Sequence, residues 1–469
     1  MLSDRIQALA DALFMPWVVT VLLGAGLFLT LRLRFVQVRR FREAWRTVVR
    51  RQCSEGSGVL TPFQAFTTAL AASIGTGNIA GVATAIVSGG PGALFWIWVY
   101  GFLAMAIKFG EAVLGITFRE ARGSVVLSGP MYYLRDGLGS PLLAWIFALV
   151  AAVAALTTTP FTQPNSMALV LNSVVGIPKI ASGITIAVLT WLVIIGGITS
   201  IGRAAEKLSP LKVALYLVGG LIVIVSNASR IPAVFALIFE RAFSMQAAAG
   251  GGLGILIAMR YGIARGIYAN EAGYGTAAVA YGTARSAQPA QQGLNAVIEV
   301  FIVSFVTSTI SALTILLTGV WESGLTSTAA VAAGFNAAIP VAGGYVVAFC
   351  AFLFGYTTLI GWAYYGEQFF EYILGRRVTI PYRWIYCLLI PFGAVSKVAT
   401  VWAWGDLMNA LQVFPNLIGV VGLSAIVAQV SRQSLRNPGP GPGSGIRDPG
   451  SEDPTIRGSG IRGSGIRDD

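Results

Sequence analysis

The sequence has no histidine, three cysteines and few charged side chains. Lys and Arg number 32 and Asp and Glu 20 among 469 residues, so that 11% of the chain is charged. Without histidine, the commonest proton shuttle and metal ligand is missing. Cys53, Cys350 and Cys387 lie far apart, without the spacing of a zinc site, a redox motif or a disulfide framework. We therefore predict no zinc centre, no disulfide framework and no enzymatic activity.

Hydrophobic residues, by contrast, make up 55% of the chain, and the mean hydropathy is +0.72. A soluble domain would carry charge on about a quarter of its residues. The composition therefore predicts an all-α membrane protein with about 11 transmembrane helices, each of roughly 20 residues. The predicted spans are 14–31, 60–87, 92–118, 141–175, 180–198, 208–226, 245–268, 293–319, 341–374, 383–403 and 407–430.

The net charge of +12 is explained by the loops between these spans. When alternate loops are assigned to the inside, beginning after the first span, most Lys and Arg residues fall on that side, as expected for cytoplasmic loops. This pattern predicts a protein of the inner (plasma) membrane with its N-terminus outside and its C-terminus in the cytoplasm. No nucleic acid or protein partner is indicated. A basic segment directly follows the first span, which we interpret as a retained anchor.

The chain divides into four predicted regions. Residues 1–59 hold the first helix and a basic cytoplasmic segment, and residues 60–226 and 227–436 form two halves of five helices each. Residues 437–469 are rich in Gly, Pro and Ser and repeat Gly-Ser-Gly-Ile-Arg, so they are predicted to be a disordered cytoplasmic tail.

Each half is predicted to begin with a helix interrupted by glycines. The interruptions contain Gly75, Gly77 and Gly81 in the first half and Gly250, Gly251, Gly252 and Gly254 in the second. Five helices per half would place the halves in opposite orientations, and glycine-interrupted spans at matching positions indicate a binding site near the membrane midplane. The alternative is that small residues only allow helices to pack closely.

The first interruption has the chemistry of a solute site. Backbone without helical hydrogen bonds survives in a membrane only where protein or a polar cavity surrounds it. Gly75 and Gly77 let the backbone approach a ligand, Thr76 and Asn78 supply neutral polar groups, and the following helix N-terminus favours a carboxylate. We expect a zwitterion with a carboxylate and an ammonium group to bind here.

Two other spans contain polar residues that suit this site. Gln163 lies in the polar run 157–166, where its amide oxygen is expected to accept from an ammonium group or, alternatively, to bond between helices. Thr357 and Thr358 lie one turn before Gly361 and Trp362. Two hydroxyls beside exposed carbonyls suit a hard cation such as Na⁺, and Trp362 would form a pocket wall. The alternative is that these threonines bond to their own helix.

Sodium is the expected coupling ion. The carboxylates considered for proton coupling, Glu111, Glu299 and Glu367, are placed near the inner ends of their spans or away from the interruptions, and Lys108 or water would solvate them. Histidine is absent. The glycine-spaced stretch 265–276 lacks the strand and the Lys-Ser or Lys-Thr of a nucleotide-binding loop, so an ATP-driven pump is disfavoured.

These motifs resemble the alanine or glycine:cation symporter family. The resemblance rests on 75–86, Gly89-Gly90-Pro91-Gly92-Ala93, 95–98, Gly129-Pro130-Met131-Tyr132-Tyr133, Asn270-Glu271-Ala272-Gly273 and 361–367, in order along 14–430. It implies a leucine-transporter-type fold, with a 5+5 inverted repeat preceded by one extra helix. It also implies substrate contacts at Gly75, Thr76, Gly77, Asn78, Gln163 and Trp362, and sodium contacts at Ala72, Gly75, Thr357 and Thr358.

The expected function is sodium-coupled import of alanine or glycine by alternating access, with Na⁺ as a transported ion. One alternative is sodium symport of another small zwitterion or a nucleobase-like solute. The other is a passive channel or facilitator, whose flux would ignore sodium.

Overall fold

A computed structural model describes residues 2–50, 56–122, 125–245 and 254–436. Cys53, the glycines Gly250, Gly251 and Gly252, and the predicted tail 437–469 lie outside the described residues. The described part is almost entirely helical, with one short antiparallel hairpin.

The N-terminal region and the first half contain twelve helices and the hairpin. In chain order they are α1 Leu2–Leu13, α2 Val19–Arg32, α3 Val36–Arg39, α4 Phe41–Val49, α5 Pro62–Ser73, α6 Ala80–Gly89, α7 Ala93–Thr117, β1 Glu120–Arg122, β2 Val125–Leu127, α8 Pro130–Tyr132, α9 Pro141–Thr157, α10 Thr159–Val175, α11 Lys179–Ile194 and α12 Gly197–Ser226.

The second half contains ten helices. They are α13 Ile231–Ala242, α14 Gly254–Asn270, α15 Thr276–Gly282, α16 Pro289–Phe301, α17 Ser308–Thr318, α18 Ser327–Ala338, α19 Ala342–Leu374, α20 Thr379–Val395, α21 Val398–Gly422 and α22 Ser424–Arg436.

Seven described helical segments are long and apolar enough to cross a membrane, and nine are if each bent pair counts as one span. The seven are Arg5–Arg32, Ala93–Thr117, Pro141–Val175, Gly197–Ser226, Pro289–Thr318, Ala342–Leu374 and Arg376–Val395. The shorter apolar helix α11 and the pair α14 and α15 lie where two further spans are predicted. The exact count of eleven stays a prediction.

The predicted interruption in the first half is present. Helix α5 begins with a capping box, in which Thr61 and Gln64 bond each other's backbone N–H groups, and has Pro62 at its first position. It ends at Ser73, a single 3₁₀ turn follows, and α6 leaves at an angle of 59°. We call residues 74–79 the first break.

The second interruption lies further along the chain than the glycine run predicts. Gly254 is the first residue of helix α14, and the helix stops at Asn270 instead. Residues 271–275, which we call the second break, separate α14 from α15 and include left-handed backbone at Glu271, Gly273 and Gly275. Part of the glycine-spaced stretch 265–276, which lacks the features of a nucleotide-binding loop, is therefore an interruption of the second half within the described residues.

Helix α5 is joined to α12 along its length. Near its start, Gln64 Nε2 donates to Glu206 Oε2 at 3.1 Å. One turn later, Ser209 Oγ donates to the carbonyl of Thr67 at 3.0 Å. The first break contacts α10, α14 and α19, so the middle of α5–α6 lies at the centre of the bundle.

Candidate functional site

The first break is held open by a side chain from α10. The backbone N–H and the hydroxyl of Thr76 both donate to Gln163 Oε1, at 3.0 and 2.9 Å. At Gly75 a Cβ would lie 2.7 Å from Thr358 Oγ1 and 3.0 Å from Gln163 Oε1. Only glycine fits there without displacing these groups. The side-chain oxygen of Gln163 thus provides a hydrogen-bond acceptor for the non-helical backbone at Thr76. The Nε2 atom of Gln163 has no hydrogen-bond partner among the described residues.

A small pocket lies beside the first break, and about 10 Å³ of it is open to the centre of a water-sized sphere. Helices α10, α14, α19 and α21 and both breaks contribute to its wall. Its lining residues are Ala72, Ser73, Gly75, Gly77, Thr158, Thr159, Gln163, Tyr268, Glu271, Tyr274, Thr358, Trp362 and Asn409. The structure thus brings together six of the predicted site residues: Ala72, Gly75, Gly77, Gln163, Thr358 and Trp362.

Three predicted site residues do not line the cavity. Thr76 faces Gln163, as described above. Asn78 is fully buried, donates to the carbonyl of Ser73 at 3.1 Å and accepts from Thr307 at 3.1 Å, so it fixes the first break against the second half. Thr357 points to the side of α19 that faces α12.

Glu271 is a cavity residue that the sequence reasoning missed. Its carboxylate is 4% exposed, and it accepts from Trp362 Nε1 at 2.5 Å and from Thr276 Oγ1 at 3.0 Å. The expectation that no carboxylate lies at the site is therefore wrong. The signal was present in the sequence, because Glu271 is the acidic residue within the glycine-spaced stretch 265–276.

Glu111 is buried in α7 and supports the second break. Its Oε1 accepts from the backbone N–H groups of Gly273 and Gly275, at 2.9 and 3.2 Å, and from Asn416 Nδ2 at 2.7 Å. The expectation that it lies away from the interruptions and is solvated by Lys108 or water is wrong, since it is fully buried and bonded to the backbone of the second break. A carboxylate on these amides stabilises backbone that has lost its helical partners.

Glu299 and Lys108 form a buried ion pair between the breaks. Lys108 Nζ lies 2.5 Å from Glu299 Oε1 and donates to the carbonyl of Asn270 at 2.7 Å. Ser73, the last residue of α5, also bonds Glu299, and Tyr281 from α15 donates to its other oxygen at 2.8 Å. The expected contact with Lys108 is confirmed, whereas the expected place away from the interruptions is wrong, because Glu299 bonds Ser73 at the edge of the first break. The pair ties α5, α14 and α15 together.

The hydroxyls proposed for sodium meet the C-terminal end of α5. Thr358 Oγ1 lies 2.8 Å from the carbonyl of Ala72 and 3.1 Å from that of Ala71. Thr357 Oγ1 accepts from Lys212 Nζ at 2.5 Å. Lys212, which lies in the predicted span 208–226, is buried within α12.

An aromatic and charged layer covers the other side of the cavity. Tyr268 from α14 donates to Thr162 Oγ1 at 2.6 Å and packs against Trp402, with ring centroids 4.9 Å apart. Beyond Tyr268, Arg265 Nη2 lies 2.5 Å from Asp406 Oδ2, and the guanidinium lies 5.1 Å from the Trp402 ring centre. This layer separates the cavity from the end of the bundle where α14 begins.

Within the described residues, no group of three or more His, Cys, Asp and Glu side chains could hold a metal ion. The oxygen atoms around the cavity come from carbonyls, hydroxyls, two amides and one carboxylate. Such a donor set fits a hard monovalent cation better than a transition metal.

Three comparisons identify relatives. The chain is 38% identical over 427 residues to the sodium/alanine symporter AgcS of Methanococcus maripaludis, covering 89% of this chain and 94% of that one. It is 33% identical over 419 residues to the probable sodium/glutamine symporter GlnT of Bacillus subtilis, covering 89% and 87%. The crystal structure of MhsT in complex with L-phenylalanine superposes with a TM-score of 0.55 at 13% identity, covering 81% and 99%.

The likeness to MhsT shows that the chain has the leucine-transporter-type fold, so the predicted fold class is confirmed. The model of the sodium:alanine symporter family matches residues 1–438. Family and fold are those of secondary transporters, and the family supports sodium-coupled amino-acid symport. With this match and the identity to AgcS, the chain belongs to the sodium:alanine symporter family.

Proposed function

We propose that this protein imports small neutral amino acids, alanine or glycine, together with Na⁺ by alternating access. The observation that carries the proposal is the polar pocket between the two breaks. It is small, with about 10 Å³ open to the centre of a water-sized sphere, which favours a small solute. The rings of Tyr268, Tyr274 and Trp362 leave little room for a long side chain. We propose transport rather than enzymatic activity.

The proposed orientation of the substrate follows from the charges around the cavity. The carboxylate would lie against Gly75 and Gly77, at the N-terminal side of α6, with Gln163 Nε2 as a further donor. The ammonium group would face Glu271, the carboxylate on the opposite break. Thr76 and Asn78 would act on the substrate through the shape of the first break. Trp362 orients Glu271 and forms a wall.

We place the transported sodium ion at the cavity side of Ala72, Gly75 and Thr358. These residues border the same space, and the helix end of α5 favours a cation there. Thr357 does not border this space. The halves 60–226 and 227–436, each opening with an interrupted helix, are proposed to move as the two inverted repeats. The proposed orientation keeps the N-terminus outside and the C-terminus in the cytoplasm of the inner membrane.

A larger substrate is the second candidate, because the relative GlnT is named as a probable sodium/glutamine symporter. The cavity volume favours alanine or glycine over glutamine.

Purified protein in liposomes tests the proposal. We expect labelled alanine to accumulate when Na⁺ is high outside, with competition by unlabelled glycine and weak competition by glutamine. Uptake that is unchanged when K⁺ replaces Na⁺, or that does not saturate, would show a passive pathway instead. Strong competition by glutamine with none by glycine would favour the second candidate.

A further inference from the structure

Lys212 is a buried cation that the proposed transport cycle does not use. Its side chain is fully buried in α12, and it forms no salt bridge among the described residues. Its Nζ lies 3.2 Å from the carbonyl oxygen of Ala71, 2.6 Å from that of Ile74 and 2.5 Å from Thr357 Oγ1. An ammonium group has three N–H donors, and here each has one acceptor.

The three acceptors are those expected to bind a hard cation. Two are backbone carbonyls at the C-terminal end of α5, where carbonyls lack helical partners and the helix dipole is negative. The third is one of the two hydroxyls that the sequence assigns to sodium. Opposite them, the ring of Phe354 lies 5.3 Å from Nζ and offers its negative face.

Burying a cationic group without a carboxylate partner costs free energy unless the surrounding dipoles replace the lost contacts with water. The helix face that carries Lys212 is built for polar contacts across the bundle. Ser209, nearly one turn before it, donates to α5, and Tyr216, one turn after it, shares a hydrogen bond with Ser311 at 2.6 Å. Lys212 is thus positioned by a continuous polar stripe and reaches α5 and α19 at once.

We propose that the ammonium group of Lys212 is a built-in cation that occupies the position predicted for sodium at Thr357. It fastens the end of α5 to α19 in the closed state, and the transported Na⁺ binds on the cavity side of Thr358. This inference deepens the proposed function and rests on it only for the location of the transported ion.

Removal of the side chain tests the inference by cation rescue. Lys212→Ala would leave a space bordered by the three acceptors, into which a small ammonium ion fits. The unfolding temperature of the purified variant is measured without substrate, at constant ionic strength, in ethylammonium or choline chloride. We expect a loss of about 5 °C or more relative to wild type, a saturable recovery with ethylammonium and none with choline, which is too bulky.

Lys207→Ala is the matched control, because Lys207 is exposed on the same helix. The unfolding temperature of Lys207→Ala, like that of wild type, should be the same in ethylammonium chloride as in choline chloride. A Lys212→Ala protein as stable as wild type, or one destabilised without distinction between the two cations, would overturn the inference.

A second pair of variants decides the question if Lys212→Ala does not fold. Lys212→Arg keeps the charge, whereas Lys212→Met keeps an apolar chain of similar length. We expect Lys212→Arg to give more folded protein than Lys212→Met. The monodisperse fraction of each variant after extraction from the membrane measures this. The reverse order would mean that Lys212 only fills space. No substrate or transport enters these measurements, so they stand apart from the uptake experiment, in which sodium-independent flux would overturn the proposed function alone.

Discussion

At the scale of single residues, Glu271 concentrates the negative charge of the cavity. Its carboxylate is fixed by Trp362 and Thr276 while it borders the cavity. Glu271→Gln keeps the shape and removes the charge. We expect the apparent affinity for alanine to fall about 30-fold, since a hydrogen bond to a charged group contributes about 2 kcal/mol. Initial uptake rates against alanine concentration measure this, with the exposed Glu240→Gln as control. An unchanged affinity would remove Glu271 from the substrate site.

Gly75 lies where the first break packs tightly against α10 and α19. In Gly75→Ala the new methyl group would lie 2.7 Å from Thr358 Oγ1 and 3.0 Å from Gln163 Oε1, so one of them must move. We expect uptake to fall at least ten-fold, as small displacements at a binding site commonly cost about that factor or more. Gly24→Ala is the control, because a methyl group there would meet nothing within 4 Å. Normal uptake by Gly75→Ala would show that this contact is dispensable.

At the scale of helices, Gln163 connects α10 to the first break. Gln163→Ala leaves the buried N–H and hydroxyl of Thr76 without their acceptor. We expect weaker alanine binding together with a loss of stability of about 1 to 3 kcal/mol. Binding calorimetry and thermal unfolding measure the two effects. In Val175→Ala, on the same helix but exposed, neither should change. If Gln163→Ala binds alanine with wild-type affinity, the glutamine acts only between helices or not at all.

The ion pair of Arg265 and Asp406 joins α14 to α21 in a buried place. Arg265 already has two nitrogen atoms, Nε and Nη1, without a partner. Asp406→Ala would leave its charge uncompensated, and we expect a loss of about 3 to 5 kcal/mol. In the exposed pair Arg135–Asp136, Asp136→Ala should cost about 1 kcal/mol or less. Thermal unfolding of both variants checks the comparison, and equal losses would contradict it.

The sequence predicts the interruption at 74–79 because the glycines Gly75, Gly77 and Gly81, together with polar residues, are unlikely to continue an apolar helix. It also identifies Gln163 and Trp362, whose polar or bulky side chains stand out in apolar spans. It does not reveal Glu271 or Lys212. Their roles depend on which helices meet. In addition, helix α12, which contains Lys212, begins at Gly197, well before the start of the predicted span 208–226. The second break was missed for a related reason, since its left-handed backbone at Glu271 depends on contacts made by other helices.

At the scale of the whole molecule, the predicted orientation has a direct test. In a Cys53→Ser background, the variant Asn227→Cys should react with a membrane-impermeant maleimide from outside. Asn227 directly follows α12, and the predicted orientation places that loop outside. A cysteine at Ser451 should react only after the membrane is permeabilised. The buried Cys350 and Cys387 are not expected to react. The opposite pattern would show that the predicted orientation is wrong.

The hydrogen bonds between α5 and α12 restrict the conformational changes that the protein can make. Gln64, Thr67 and Ala71 lie at intervals of three to four residues along α5, and each meets a polar side chain of α12. A tilt of α5 alone would break these bonds in succession from one end. The two helices should therefore move as one unit, with the non-helical peptide units at Ile74 and Gly75 as the hinge.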